Sequence, residues 1–248
     1  MRKKWMSIIG IIALWSGVIH ADLALRLTGT AQALNAGSVW EFEFTIDGSG
    51  NVTVSAGAAD QFFTSVADGA AAVVGMVTDT ALFNTSFSLQ MTNNGDSFGF
   101  HTNNATFGRF GVNSFSTTAE ATGNRYRIDE SSGELIYFDW DLTGLPTGYT
   151  FQMTGLETGY ANSNGNYSVN GVTDAGFVKN NKDIIYLSTT PAFTGGSNPA
   201  PITIGAVNGG DIAPGSIVFS IVPIPEPATA GLVSISTAVL LLFRRLKK

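Results

Sequence analysis

The chain contains no cysteine. That excludes a disulfide framework, a thiol nucleophile and any metal site built on thiolate, but it leaves export open. Histidine is almost as scarce. Of two, His20 falls in the N-terminal apolar stretch, and only His101 lies in the body. One histidine cannot build a zinc site of His and Cys. His101 sits in Phe100-His101-Thr102 at an expected strand end, and it reads as a lone surface or internally satisfied histidine rather than the base of a Ser-His-Asp triad. Lysine is rare between the two ends. Long helical periodicity is missing, and no repeat of about 20–50 residues recurs, which excludes a solenoid.

What is abundant is Gly, Ser, Thr and Asn, with apolar residues arranged in short alternating runs. Trp40, Phe42, Phe44 and Ile46 share one face of Val39 to Ile46, while Glu41, Glu43 and Thr45 share the other. Ile136, Phe138, Trp140 and Leu142 do the same in Glu134 to Leu142, against Tyr137, Asp139 and Asp141. A period of two is the mark of a half-buried strand. Further strands are expected at 23–28, 51–55, 71–78, 81–91, 97–101, 105–112, 125–129, 148–156, 183–188 and 216–222. Residues 159–174 read as a long Asn/Gly/Ser loop with too little apolar content to pack, and 191–201 as a Pro/Gly loop. About ten to thirteen short strands separated by turns predict an all-β, antiparallel β-sandwich of jelly-roll type with aromatic inner faces.

The two ends differ from this body. Arg2, Lys3 and Lys4 precede a mostly apolar run, and Ile19-His20-Ala21 offers a small residue before a cut. Residues 1–21 therefore read as a secretory signal peptide cleaved after Ala21 by signal peptidase, following the general secretion machinery. At the other end, residues 223–248 have three parts in order. Pro225, Glu226 and Pro227 are rigid and extended. Residues 228–243 are uncharged and mostly apolar; the run is short of the about 20 residues that span a bilayer, a shortfall that snorkelling of the basic residues after it partly recovers, and it reads as a transmembrane helix. Arg244, Arg245, Lys247 and Lys248 then form a basic membrane stop. Both basic clusters belong on the cytoplasmic side, which puts residues 22–222 across the membrane. Of the 13 Lys and Arg, six lie in that stretch, and of the 19 Asp and Glu, 18 do, so it carries about −12. Such a balance argues against nucleic acid as a partner.

The tail resembles the PEP-CTERM sorting signal of Gram-negative bacteria, on Pro225-Glu226-Pro227, the apolar run and the terminal basic cluster, about a tenth of the chain. The resemblance implies an exosortase as partner, a transient anchor in the inner membrane, and delivery to the cell surface or an exopolysaccharide matrix. No Leu-Pro-x-Thr-Gly sortase motif is present. Inside the body, Phe110-Gly111-Val112-Asn113, Arg127-Ile128-Asp129 and Gly133-Glu134 with Leu135 to Leu142 are similar to a segment recurring in sandwich domains of PEP-CTERM proteins, which supports the fold and adds no chemistry.

Several residues bear on chemistry. Glu41/Glu43 and Asp139/Asp141 are spaced i, i+2, about 7 Å apart on one strand face, a geometry open to a polysaccharide hydrolase or lyase but also to a plain solvent face. Asp47-Gly48-Ser49-Gly50-Asn51 resembles the start of a calcium loop, yet Val52 and Ala58 stand where an EF-hand needs Gly and Glu, so it reads as a hairpin turn. Asp129, Glu130 and Glu134 surround another turn and are the candidates for a structural calcium. Asn-x-Ser/Thr triplets begin at Asn51, Asn84, Asn104 and Asn166, and in so polar a chain they carry little weight. Tyr126, Tyr137, Tyr149, Tyr160 and Tyr167 are candidates for sugar stacking in a carbohydrate-binding module. No catalytic residue and no cofactor are assigned. The reading these features favour is an exported, non-enzymatic surface or matrix protein.

Overall fold

The computed structural model describes residues 22–28, 37–56, 70–102, 108–113, 127–130, 133–161, 165–177, 184–208 and 211–224. The signal peptide, Tyr126 and the whole of Pro225 to Lys248 lie outside the described residues. Among those described, no helix is long and apolar enough to cross a membrane.

The described chain is all-β, with sixteen strands and one short 3-10 turn. They are β1 (Leu23–Thr28), β2 (Val39–Ile46), β3 (Val52–Ala56), β4 (Ala70–Val74), β5 (Thr85–Asn93), β6 (Ser97–Thr102), β7 (Gly108–Asn113) and β8 (Ile128–Asp129). There follow β9 (Leu135–Asp141), β10 (Tyr149–Ala161), β11 (Gly165–Val169), β12 (Val172–Phe177), β13 (Ile184–Tyr186), β14 (Ala192–Thr194), β15 (Ile202–Val207) and β16 (Asp211–Pro223). All pairings are antiparallel. A front sheet has the order β12-β11-β15-β9-β5-β2-β3. A back sheet has the order β13-β10-β16-β1-β4, with β14 also on β10 and β8 on β16, and β6 and β7 form a separate hairpin.

The alternation read from the sequence faces inward as expected. Trp40, Phe42, Phe44, Phe87, Phe138 and Trp140 of the front sheet are buried, as are Leu23, Leu25, Phe151, Ile217 and Phe219 of the back sheet. They meet in one aromatic cluster. Phe44 stacks on Phe87 with ring centroids 4.7 Å apart, and Trp140 lies 4.5 Å from Phe151 and 5.5 Å from Phe219 across the sheets. Such pairs add about 0.5–1.5 kcal/mol each beyond their buried area. The β6–β7 hairpin closes one end of this core, where Phe98 stacks on Trp40 at 4.4 Å.

The segment that looks like a recurring sandwich piece forms one buried corner. Val112 and Arg127 exchange a bridge, with the Val112 N–H donating to the Arg127 carbonyl at 2.8 Å. Gly111 is required there, because an added Cβ would overlap the Arg127 backbone. The Asp129 N–H donates to Glu134 Oε2 at 2.8 Å, which fixes the turn into β9.

Five expectations need correction. Residues 159–174 are not a loop: β10 runs to Ala161, and β11 and β12 follow, with Tyr167 fully buried. A strand needs inward apolar groups only at alternate positions, and Tyr167 and Val169 suffice. The strand expected from Ala81 starts at Thr85, because Asp79 caps a 3-10 turn over Thr80–Leu82 and Asn84 takes φ 60°. The strand expected over 71–78 ends at Val74, where Gly75 turns at φ 119°. The last strand begins at Asp211 rather than Ser216, β15 precedes it, and β14 interrupts the expected 191–201 loop. Pro214 is tolerated because its β10 partner Thr158 sits between two register shifts, and the other side of β16 is shared by β8 at Ile212 and β1 from Ser216, with neither opposite Pro214.

Candidate functional site

The outer face of the front sheet carries the polar halves of β2, β5 and β9. Their register sets them in rows. Glu43 faces Ser88, which faces Asp141; Glu41 faces Gln90, which faces Asp139. Short serines thus lie between long or charged side chains, and a trough of about 470 Å³ opens along β5. Glu41 and Glu43 line one wall, Asp141, Thr143 and Gly144 the other, and Ser86, Ser88 and Gln90 the floor. Phe42, Phe87 and Leu89 border it too, but their side chains belong to the buried core. Gly144 matters for the shape: its turn packs so close to the end of β5 that a Cβ would overlap the Ser86 carbonyl oxygen.

Two of the carboxylates are held in place. Glu41 Oε1 accepts from Gln90 Nε2 at 2.9 Å across the strands. Asp141 Oδ1 accepts from the Thr143 hydroxyl at 2.6 Å and from the Thr143 N–H at 2.9 Å. The Thr143 hydroxyl, then its N–H, hold the Asp141 carboxyl below the ordinary carboxylate range, against a small effect of burial. A glycosidic general acid must keep its proton near neutral pH. Asp141 is shifted the other way and does not fit the acid of such a pair.

The other candidates fall elsewhere. Asp129 and Glu134 come together but serve the turn, Glu134 accepting the Asp129 N–H, while Glu130 is exposed. Among the described residues no three His, Asp or Glu side chains gather as a metal-binding group. Asp47 is the hairpin residue that the sequence suggests. It accepts from the Ser49 N–H at 2.7 Å and from the Asn51 N–H and Nδ2 at 2.9 Å, and the Asn51 amide, then those N–H groups, lower its pKa. His101 lies at a strand end, and burial, then the positive charges of Arg109 and Arg127, lower its pKa. It is neutral at physiological pH.

The tyrosines divide. Tyr167 is fully buried in the core, and burial pushes its phenol upward. Tyr149 is buried as well, its hydroxyl donating to Asp79 Oδ2 at 2.7 Å; burial, then that bond, push its pKa up to about 12. Neither can stack on a sugar. The Tyr160 side chain lies outside the described residues. Tyr137 is half-buried on the outer face of β9, on the same face as Asp139 and Asp141 and opposite Thr92 and Thr203. What sequence reasoning missed is the β5 stripe of Ser86, Ser88 and Gln90. Its signal was present, as small polar residues alternating with Phe87 and Leu89, but only the register reveals that it runs between two acidic strands.

Compared with protein-family models, with curated proteins and with solved structures, the chain gives no significant match.

Proposed function

We propose that the chain is an exported surface or exopolysaccharide-matrix protein whose jelly-roll-like body is structural or adhesive and whose tail is an exosortase-processed sorting signal. The observation that carries this is the three-part tail: Pro225-Glu226-Pro227, an uncharged apolar run, and a basic cluster that stops translocation. The basic n-region and apolar run of residues 1–21 support the same route. The fold adds a geometric point. β16 stays paired with β10 through Pro223, opposite Tyr149, and the Ile224 N–H donates to the Gly148 carbonyl at 2.7 Å. The sheet therefore reaches the residue before Pro225, and processing has to act beside a folded body. Alternating faces with an aromatic core and a polar, acidic exterior suit a soluble polypeptide outside the cytoplasm.

The test is the fate of the chain in its own cells when Pro225→Ala, Glu226→Ala and Pro227→Ala are combined. The variant is expected to accumulate in the inner membrane while the wild type leaves it. An unchanged distribution between membrane, surface and medium would sink the sorting reading.

A second reading, carbohydrate binding by the body, is favoured by the trough on the front sheet.

A further inference from the structure

We propose that the trough along β5 binds a linear glycan that carries no negative charge, with Tyr137 as a stacking platform beyond its end. The inference gives the carbohydrate-binding reading a site and a ligand class, and it does not depend on how the tail is processed.

Shape is the first argument. A volume of about 470 Å³ falls within the usual range of ligand sites. The trough follows the five residues Ser86 to Gln90, a length of about 13 Å at the rise of an extended strand. It lies on an open sheet face, so it suits a chain laid along it rather than a compact molecule enclosed by it.

Chemistry is the second. The inward turn of Phe42, Phe87 and Leu89 leaves the lining to hydroxyl, amide and carboxylate groups. That is a set of acceptors with a few donors, matched to a ligand that presents many hydroxyls and offers little apolar surface. The Glu41–Gln90 and Asp141–Thr143 bonds fix two of these groups before a ligand arrives, which lowers the ordering cost of binding. On the same face, one row beyond Gln90 and Asp139, Tyr137 lies beside Thr92 and Thr203. An aromatic ring at that point can cover the apolar face of a sugar ring whose hydroxyls continue into the trough.

Charge is the third, and it restricts the ligand. Glu41, Glu43 and Asp141 line the trough with no Lys or Arg among the lining residues. The three basic residues among those described are placed elsewhere. Arg26 pairs with Glu157 on the back sheet, Arg127 pairs with Asp211, and Arg109 is buried on β7. A polyuronate or sulfated chain would be repelled, whereas a neutral or amine-bearing chain would not.

The test uses the full-length chain in mild detergent, titrated calorimetrically with three oligosaccharide sets: neutral β-linked glucose oligomers, deacetylated glucosamine oligomers, and oligouronates. Binding is expected for the neutral or the amine-bearing set, and which of them binds identifies the ligand; the oligouronates are expected not to bind. Ser88→Leu, which fills the floor from an outward strand position, is expected to weaken binding at least about tenfold. Glu43→Gln, which keeps the shape, should weaken the amine-bearing set more than the neutral one. Tyr137→Ala should weaken whichever set binds, and Glu130→Gln, at a different turn, should change nothing. Failure of both uncharged and amine-bearing sets overturns the proposal. So does binding that Ser88→Leu and Glu43→Gln leave intact in folded protein, or a preference for oligouronates. None of these results bears on the Pro-Glu-Pro experiment, so the two readings fail separately.

Discussion

Asp174 commits both of its carboxylate oxygens to one loop. Oδ2 accepts the Ser188 N–H at 2.9 Å, the Thr189 N–H at 3.0 Å and the Thr189 hydroxyl at 2.9 Å, while Oδ1 accepts the Ser188 hydroxyl. Burial pushes its pKa up, but the Ser188 hydroxyl and the other three donors outweigh that and hold it below the ordinary carboxylate value. A carboxyl whose folded pKa is lowered stabilises the fold above its unfolded pKa and loses that contribution as pH falls through the folded value. Asp174→Asn should therefore cost about 1–2 kcal/mol at neutral pH. The gap between wild type and variant should narrow as pH drops below about 4. Thermal melts of both proteins across pH check this, and a gap that stays constant into acid would show that the charge is not what matters. Gly111 makes a different demand. With the Arg127 backbone where its Cβ would go, Gly111→Ala should cost about 3 kcal/mol or more. A shift in the urea midpoint measures it, and a change under about 0.5 kcal/mol would contradict the close approach.

At the scale of elements, legibility followed the strength of alternation. β2 and β9 could be read to within a residue because large apolar side chains alternate with polar ones in each. β1 was legible for the same reason in Leu23, Leu25 and Leu27. β11 was not, since its inward residues are few and its partners, β12 and β15, are themselves set by long-range pairing. β15, Ile202–Val207, was hidden behind a Pro-rich stretch whose punctuation suggested loop. The start of β16 was hidden by Pro214, because the bulge on β10 that accommodates it has no local sequence signal. The candidate site shows the same limit. Glu41, Glu43, Asp139 and Asp141 were visible as two separate acidic faces, but that β5 joins them is a matter of register. Tyr167→Ala tests the least legible element. If β11 packs as described, the substitution should cost about 3–5 kcal/mol by urea denaturation. A polar surface loop would lose less than about 0.5 kcal/mol.

At the scale of the whole molecule, two sheets enclose one aromatic core, and each side of the pair is tied at its edge. On one side Asn51 of the front sheet's β2–β3 turn bridges to Met76 beyond β4, with the Val77 N–H on the Gly50 carbonyl at 2.9 Å. On the other, Asp174 of edge strand β12 holds the loop that follows edge strand β13. Such ties limit the exposure of free strand edges. The pairing of β16 with β10 continues to Pro223, two residues before Pro225. The central claim is that the body is exported and then released from its tail. Its most direct test is the mass of the C-terminal peptide of the protein recovered from its native envelope and medium. A chain that ends close to Pro227, with residues 228–248 missing, is the expected result. A peptide intact through Lys248 would contradict it and make the tail a permanent anchor.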